Sequence, residues 1–231
     1  MGDTQFALLR KWMVVEIADE TAAVRNEIGK EHLDPRVMAV MGEIPRHAFV
    51  PPEWQAHAYL NRPLPIGHGK TISQPFIVAL MTDLLEIRED DTILEIGTGL
   101  GYQTAVLSRL AKQVYSIERL EGLARQARQR FEQLGFTNIE TRIGNGHEGW
   151  PEHAPFDKVI VTAAPLHVPP ALLAQLKPGG RMVLPAGPAY WQQLLLVCKD
   201  ANGTVSLREI LPVQFSELED SAPPAAGQTG D

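Results

Sequence analysis

Three glycines at alternate positions, Gly97, Gly99 and Gly101 in the stretch LEIGTGLGY, stand directly after a short apolar run and before a helical one. Glycine there lets the chain take positive φ and brings bare backbone close to a ligand. A dinucleotide fingerprint needs G-x-G-x-x-G to cradle a pyrophosphate; this spacing is G-x-G-x-G, which weakens the phosphate reading. A turn of this kind can receive a nucleoside that carries an amino-acid moiety, as S-adenosylmethionine does. Glu118 closes the next apolar run, about 20 residues on, where an acid accepts hydrogen bonds from both ribose hydroxyls. Gly144-Asn145-Gly146 ends the run after that, and the Asn145 amide could meet an adenine edge. Taken singly, these features fit a tight turn or a solvated carboxylate. Their succession at three strand ends points to a nucleoside site.

A second stretch, IGHGKTISQP at residues 66–75, is polar and turn-forming. Ser73 within it has two readings: a hydrogen-bond donor to a substrate, or a cap for the helix that begins near Pro75. His68, alone in a glycine-rich turn, reads as a structural group rather than a proton shuttle. The chain offers no Ser-His-Asp order and no histidine or cysteine metal spacing, so no metal site is expected. Trp12, Trp54, Trp150 and Trp191 read as core or lid aromatics.

Regular alternation must position these groups. Residues 92–96, 113–118, 138–144, 158–164 and 181–186 read as short apolar strands, with helical stretches such as YQTAVLSRLA and EGLARQARQRFEQLG between them. That pattern predicts a doubly wound, mostly parallel sheet. Asn202-Gly203 between two apolar runs predicts an antiparallel C-terminal hairpin. Ahead of the sheet, residues 6–43 read as helical, with Asp34-Pro35 as an N-cap and first-turn proline. One domain over residues 1–219 is expected, residues 1–60 helical and 61–219 carrying the sites, with a disordered tail at 220–231.

The net charge of −7, with Lys and Arg spread along the chain, excludes an electrostatic footprint for nucleic acid. No run approaches the ~18 apolar residues of a membrane span, and the N-terminus lacks a secretory pattern. The single Cys198 excludes an internal disulfide, so a cytoplasmic protein is expected.

With these residues in view, the sequence resembles the protein-L-isoaspartate O-methyltransferases, S-adenosylmethionine-dependent repair enzymes. The matching segments include IPRHAFVPPE, AYLNRPLPIGHGKTISQPFIVALMTDLL, ILEIGTGLGYQTAVLS, VYSIER, GNGHEGWPEHAPFDKVIVTAA and LKPGGRMVLPAGP, in family order. TISQP upstream of the glycine turn is the diagnostic pairing. The resemblance implies a class I Rossmann-like methyltransferase sheet, and methyl transfer to the α-carboxylate of L-isoaspartyl, and D-aspartyl, residues in proteins or peptides. It implies Ser73 as the active-site residue, with Thr71 beside it. Lys70, Thr71, Ile72 and Ser73 would line the cofactor, Gly97, Thr98, Gly99 and Gly101 form its turn, and Glu118 holds its ribose; Glu95, Asn145 and Gly146 complete the set. A monomer without membrane partners is expected. Three departures from the family stand out: Asn145 for the usual Asp, Tyr190-Trp191 for a glycine pair, and PVQFSELE at 212–219. That last stretch frames the substrate side in the family, and it leaves open a methyltransferase of the same fold acting on another carboxylate, or a non-catalytic cofactor-binding protein.

Overall fold

A computed structural model describes residues 2–219. The disordered tail expected from Asp220 lies outside the described residues. Helices come first: α1 Asp3–Ala23, the short α2 Arg25–Ile28, and α3 Pro35–Glu43. Helix α3 starts as its sequence predicts, with Asp34 Oδ1 accepting the Arg36 N–H at 2.8 Å and Pro35 in the first turn. Strands β1 Leu64–Gly67 and β2 Lys70–Ile72 then pair as a small antiparallel hairpin, followed by α4 Pro75–Leu84. Alternation follows: β3 Thr92–Ile96, α5 Tyr102–Ser108, β4 Gln113–Glu118, α6 Glu121–Gln133, β5 Ile139–Ile143, β6 Phe156–Val161, α7 Pro170–Ala174, β7 Leu176–Ala186, β8 Gln192–Lys199 and β9 Val205–Val213.

Strands β3 to β9 form one sheet in the order β5-β4-β3-β6-β7-β8-β9. Pairing is parallel through β7 and antiparallel for β8 and β9, so the Rossmann-like sheet with its C-terminal hairpin is the one expected. The two-residue period of strands explains why these runs are apolar throughout. Ile93, Ile160 and Val183 face one core with α1, α3, α4 and α5, while Leu94, Val159, Met182 and Leu184 face a second with Trp150, Phe156 and Leu172. Strand β3 has β4 on one side and β6 on the other, so loops leaving the carboxyl ends diverge there and open a crevice.

The tryptophans correct one expectation. Trp150 is buried, but Trp12 lies 60% and Trp191 76% exposed, on the outer face of α1 and at the tip between β7 and β8. No helix among the described residues is long and apolar enough to cross a membrane.

Candidate active site

The β1–β2 hairpin delivers Ser73 to the wall of a cavity of about 560 Å³ at the carboxyl ends of the sheet. Ser73 is not the helix cap. Gln74 occupies the N-cap position of α4 without a side-chain cap bond, and the Phe76 N–H is met from outside by Asn61 Oδ1 at 3.0 Å. The loop is pinned from behind. The guanidinium of Arg46, fully buried, donates to the Ser73 carbonyl at 2.7 Å and to the Ala58 carbonyl at 2.8 Å. It lies 4.8 Å from the centre of the Tyr102 ring. Burial pushes Arg46 down to about 10, which leaves it charged at neutral pH. Glu20, late in α1, accepts from Asn61 Nδ2 at 2.5 Å and from Gln74 Nε2 at 3.0 Å. The N-terminal helix therefore aims this loop, a role that nothing in its sequence signals. With neighbours and carbonyl held, the Ser73 hydroxyl makes no hydrogen bond among the described residues and faces the cavity.

Across the cavity lies the glycine turn. Gly97 takes φ +96° and Gly101 φ +99°. The Gly97 N–H donates to the Ile117 carbonyl at 2.8 Å, which ties the turn to β4. Glu118 fixes it further, one carboxylate oxygen accepting the Gly99 N–H at 2.8 Å and the other the Leu120 N–H at 2.9 Å. Each oxygen keeps a second lone pair, so the oriented carboxylate can still receive a pair of vicinal hydroxyls.

Lys70, Thr71, Ser73, Gly97, Gly99, Glu118 and Gly146 line the main cavity, and Ile72, Thr98 and Gly101 line a small recess joined to it. Two expected residues lie elsewhere. Asn145 spends its side chain on a single 3₁₀ turn: its Oδ1 accepts the His147 N–H at 3.0 Å and its Nδ2 donates to Glu148 Oε1 at 3.3 Å. An asparagine before a tight turn competes for nearby backbone in this way, and Asn145 is not among the residues that line the cavity, although Gly144 and Gly146 on either side of it are.

Glu95 is fully buried beneath the turn rather than on the cavity wall. The hydroxyls of Ser116 and Thr104 donate to one of its oxygens at 2.6 and 2.5 Å, and Thr98 Oγ1 sits 2.6 Å from Ser116 Oγ. The strand period aims residue 95 at α5, not at the crevice. Burial pushes its carboxyl up to about 8, against the two hydroxyl bonds and with the help of the Glu118 charge. The sign of the consequence is fixed. The folded chain holds this proton above the pH at which the unfolded chain loses it, so stability falls as pH rises from about 4.5 to about 8. The slope across that window is on the order of 1 kcal/mol per pH unit. Urea melts at pH 5, 6, 7 and 8 should show that decline in the parent and a flatter profile in Glu95→Gln.

Sequence reasoning missed Thr162 on the cavity wall. Thr162 follows β6 and donates to the carbonyls of Ile96 and Gly97 at 3.0 and 2.7 Å. Residues 212–219 supply a long stretch of the wall, held to β6's exit by the Ala164 N–H to Ser216 carbonyl bond at 2.8 Å. Glu219 ends it, paired with Lys70 at 2.9 Å and Arg119 at 2.7 Å across the opening. The Lys70 hydrogen bond holds the Glu219 carboxyl below the usual carboxylate range. The family resemblance already points to 212–219 as a stretch that frames the substrate side.

The residues present fit a nucleoside that bears an amino acid. Bare backbone at Gly97 and Gly99, the oriented Glu118 and the apolar flank of Ile117, Leu120 and Leu123 meet at one wall, with room for a second reactant beside Ser73. Sheet, switch-point turn and acid together define a Rossmann-like methyltransferase. More narrowly, the chain belongs to the family described as Protein-L-isoaspartate(D-aspartate) O-methyltransferase, whose family model matches residues 19–222. It is 61% identical to the Protein-L-isoaspartate O-methyltransferase 1 of a Polaromonas species, over 96% of this chain and 94% of the relative. The Cupriavidus necator protein of the same name is 57% identical over 94% of this chain and 84% of its own length. A solved protein-L-isoaspartate O-methyltransferase superposes with a TM-score of 0.78 at 26% identity, covering 92% of this chain and 67% of that one. A Plasmodium falciparum structure solved with S-adenosyl-L-homocysteine shares the fold, with a TM-score of 0.72 at 21% identity over 89% of this chain and 98% of its own.

Proposed function

We propose that this chain transfers a methyl group from S-adenosylmethionine to the free α-carboxylate of L-isoaspartyl residues, and to the side-chain carboxylate of D-aspartyl residues, in damaged proteins and peptides, and so begins their repair. One observation carries the reading: in a member of this family, the unpartnered Ser73 hydroxyl and the Glu118-backed glycine turn line the same cavity. The family match does not favour a methyltransferase for another carboxylate or a non-catalytic cofactor binder.

S-adenosylmethionine, when bound, supplies an electrophilic methyl on a sulfonium. Gly97, Gly99 and Glu118 would hold its nucleoside side, Lys70, Thr71 and Ile72 would close from the hairpin, and Thr98, Gly101 and Gly146 shape the turns beneath. The remaining work is positioning, because in-line displacement needs the acceptor oxygen close and collinear. A backbone-type carboxylate has a reference pKa near 3.5 and is ionised at neutral pH, so no general base is required. Ser73 Oγ donates to one carboxylate oxygen and leaves the other aimed at the methyl, with Thr71 beside it. The 212–219 strap walls that space on one side.

The product ester activates the α-carbonyl. The following amide nitrogen attacks it, methanol leaves, and water opens the resulting succinimide to a mixture of normal and isoaspartyl forms. Residues 1–219 act as one methyltransferase domain, 1–60 buttressing the Ser73 loop and 61–219 holding cofactor and substrate. The enzyme works as a monomer in the cytoplasm. Prolonged incubation of an isoaspartyl peptide with enzyme should accumulate the normal aspartyl form only when S-adenosylmethionine is present. A peptide that stays wholly isoaspartyl through many cofactor turnovers would sink the repair reading.

A further inference from the structure

Tyr190 and Trp191 are 96% and 76% exposed at the β7–β8 turn, and Leu166 is 60% exposed just beyond β6. Single exposed apolar side chains need no explanation. These three sit on two loops joined by a hydrogen bond from the Gly187 N–H to the Pro165 carbonyl at 3.1 Å. The turn is closed by a hydrogen bond from the Trp191 N–H to the Pro188 carbonyl at 2.8 Å, and a Cβ on Gly187 would lie 2.4 Å from the Trp191 carbonyl oxygen. Because β6 and β7 run parallel to β3, both loops leave the sheet at the end that carries the cavity.

The loops continue directly into the cavity wall. Ala163 lines the cavity, Ala164 pairs with the 212–219 strap, and Leu166 follows within about 10 Å of extended chain. On the other loop Gln192, next to Trp191, makes a double bond of hydrogen bonds to Phe215 of that wall, donating to its carbonyl at 3.1 Å and accepting its N–H at 2.6 Å. The apolar tip is thus anchored to the cavity wall on both sides.

We infer that Tyr190, Trp191 and Leu166 form a docking platform for the polypeptide that flanks the acceptor residue, favouring substrates with an apolar or aromatic side chain within a few positions of it. The inference rests on the function proposed above. An acceptor side chain that enters the cavity is part of a chain, so its neighbours must leave over the rim, and the rim on this side is apolar. Rigid aromatics bind such neighbours with little loss of conformational freedom.

The test compares two isoaspartyl peptides identical except for their flanks, one with Phe and Leu within three positions on each side and one with Ser and Gly. The wild-type protein should show a lower KM for the apolar peptide. The double variant Tyr190→Ser, Trp191→Ser should raise that KM roughly 10-fold, the scale on which aromatic anchors act at interfaces, and change the polar peptide's KM by less than about 2-fold. The kcat on both peptides and the affinity for S-adenosylhomocysteine should hold. A wild type without the preference, or a variant that keeps it, overturns the platform. Sedimentation adds an outcome: self-association lost in the variant while both KM values stay put assigns the surface to a second copy and also overturns it. Failure of the functional reading looks different, since the wild type would then methylate neither peptide; the platform falls with it.

Discussion

Gly97→Ala should lower cofactor affinity at least about 100-fold while leaving a folded but weakened protein. Gly97 sits at φ +96°, where an L side chain costs roughly 1–3 kcal/mol. A Cβ there would lie 2.3 Å from Thr162 Oγ1, a contact that real structures do not tolerate. Thr162 would have to turn away and lose the one hydroxyl bond it shares between the Ile96 and Gly97 carbonyls, at about 1 kcal/mol. Together these losses predict a fall of roughly 3 kcal/mol, or about 6–12 °C in melting temperature for a chain of this size. Binding falls further because the displaced turn is the surface on which Glu118 and the Gly99 N–H are aligned. Calorimetric titration with S-adenosylhomocysteine and thermal melts check both numbers. Adding Thr162→Ala removes the clashing oxygen together with the hydrogen bond already lost, so the double variant should melt close to Gly97→Ala, the two losses overlapping rather than adding. Unchanged affinity in Gly97→Ala would mean that the cofactor does not lie on this turn.

Ser73→Ala should cut turnover about 100-fold, the penalty of a misplaced acceptor, with cofactor affinity within about 2-fold of the parent. Melting temperature should scarcely move. The reason is structural: the first turn of α4 is capped by Asn61, and the Ser73 contact that matters for folding is its backbone carbonyl on Arg46, which alanine retains. Single-turnover rates with cofactor saturating separate this from a binding defect. Full turnover in the alanine variant, or a large fall in melting temperature with turnover kept, would return Ser73 to a purely structural role.

Much of this arrangement was legible because it depends on features with a local cause. The glycine spacing after TILEI, the acid at the end of QVYSIE and the Asn202-Gly203 turn each follow from backbone requirements that only certain residues meet, and each occupies its expected place. The β1–β2 hairpin was read as loop because strands of four and three residues around Gly67 and Gly69 carry too little alternation to register. Strand β7 starts at Leu176, ahead of the Arg181 expected from sequence, because Pro178-Gly179-Gly180 looks like a turn and is instead absorbed by a register shift against β6. Glu95 and Asn145 failed for another reason. Their positions in the chain were right, but the strand period and a 3₁₀ turn decided where their side chains point. The buried hold of Arg46 and Glu20 on the Ser73 loop spans segments far apart in sequence, and no local pattern announces it.

The most direct measurement is the initial rate of methyl incorporation, with the cofactor labelled, into an isoaspartyl peptide and its normal aspartyl twin of identical composition. The account predicts rapid base-labile labelling of the isoaspartyl peptide, none above background in the twin, and an initial rate about 100-fold lower in Ser73→Ala. Equal labelling of the two peptides, or labelling of neither, would contradict it.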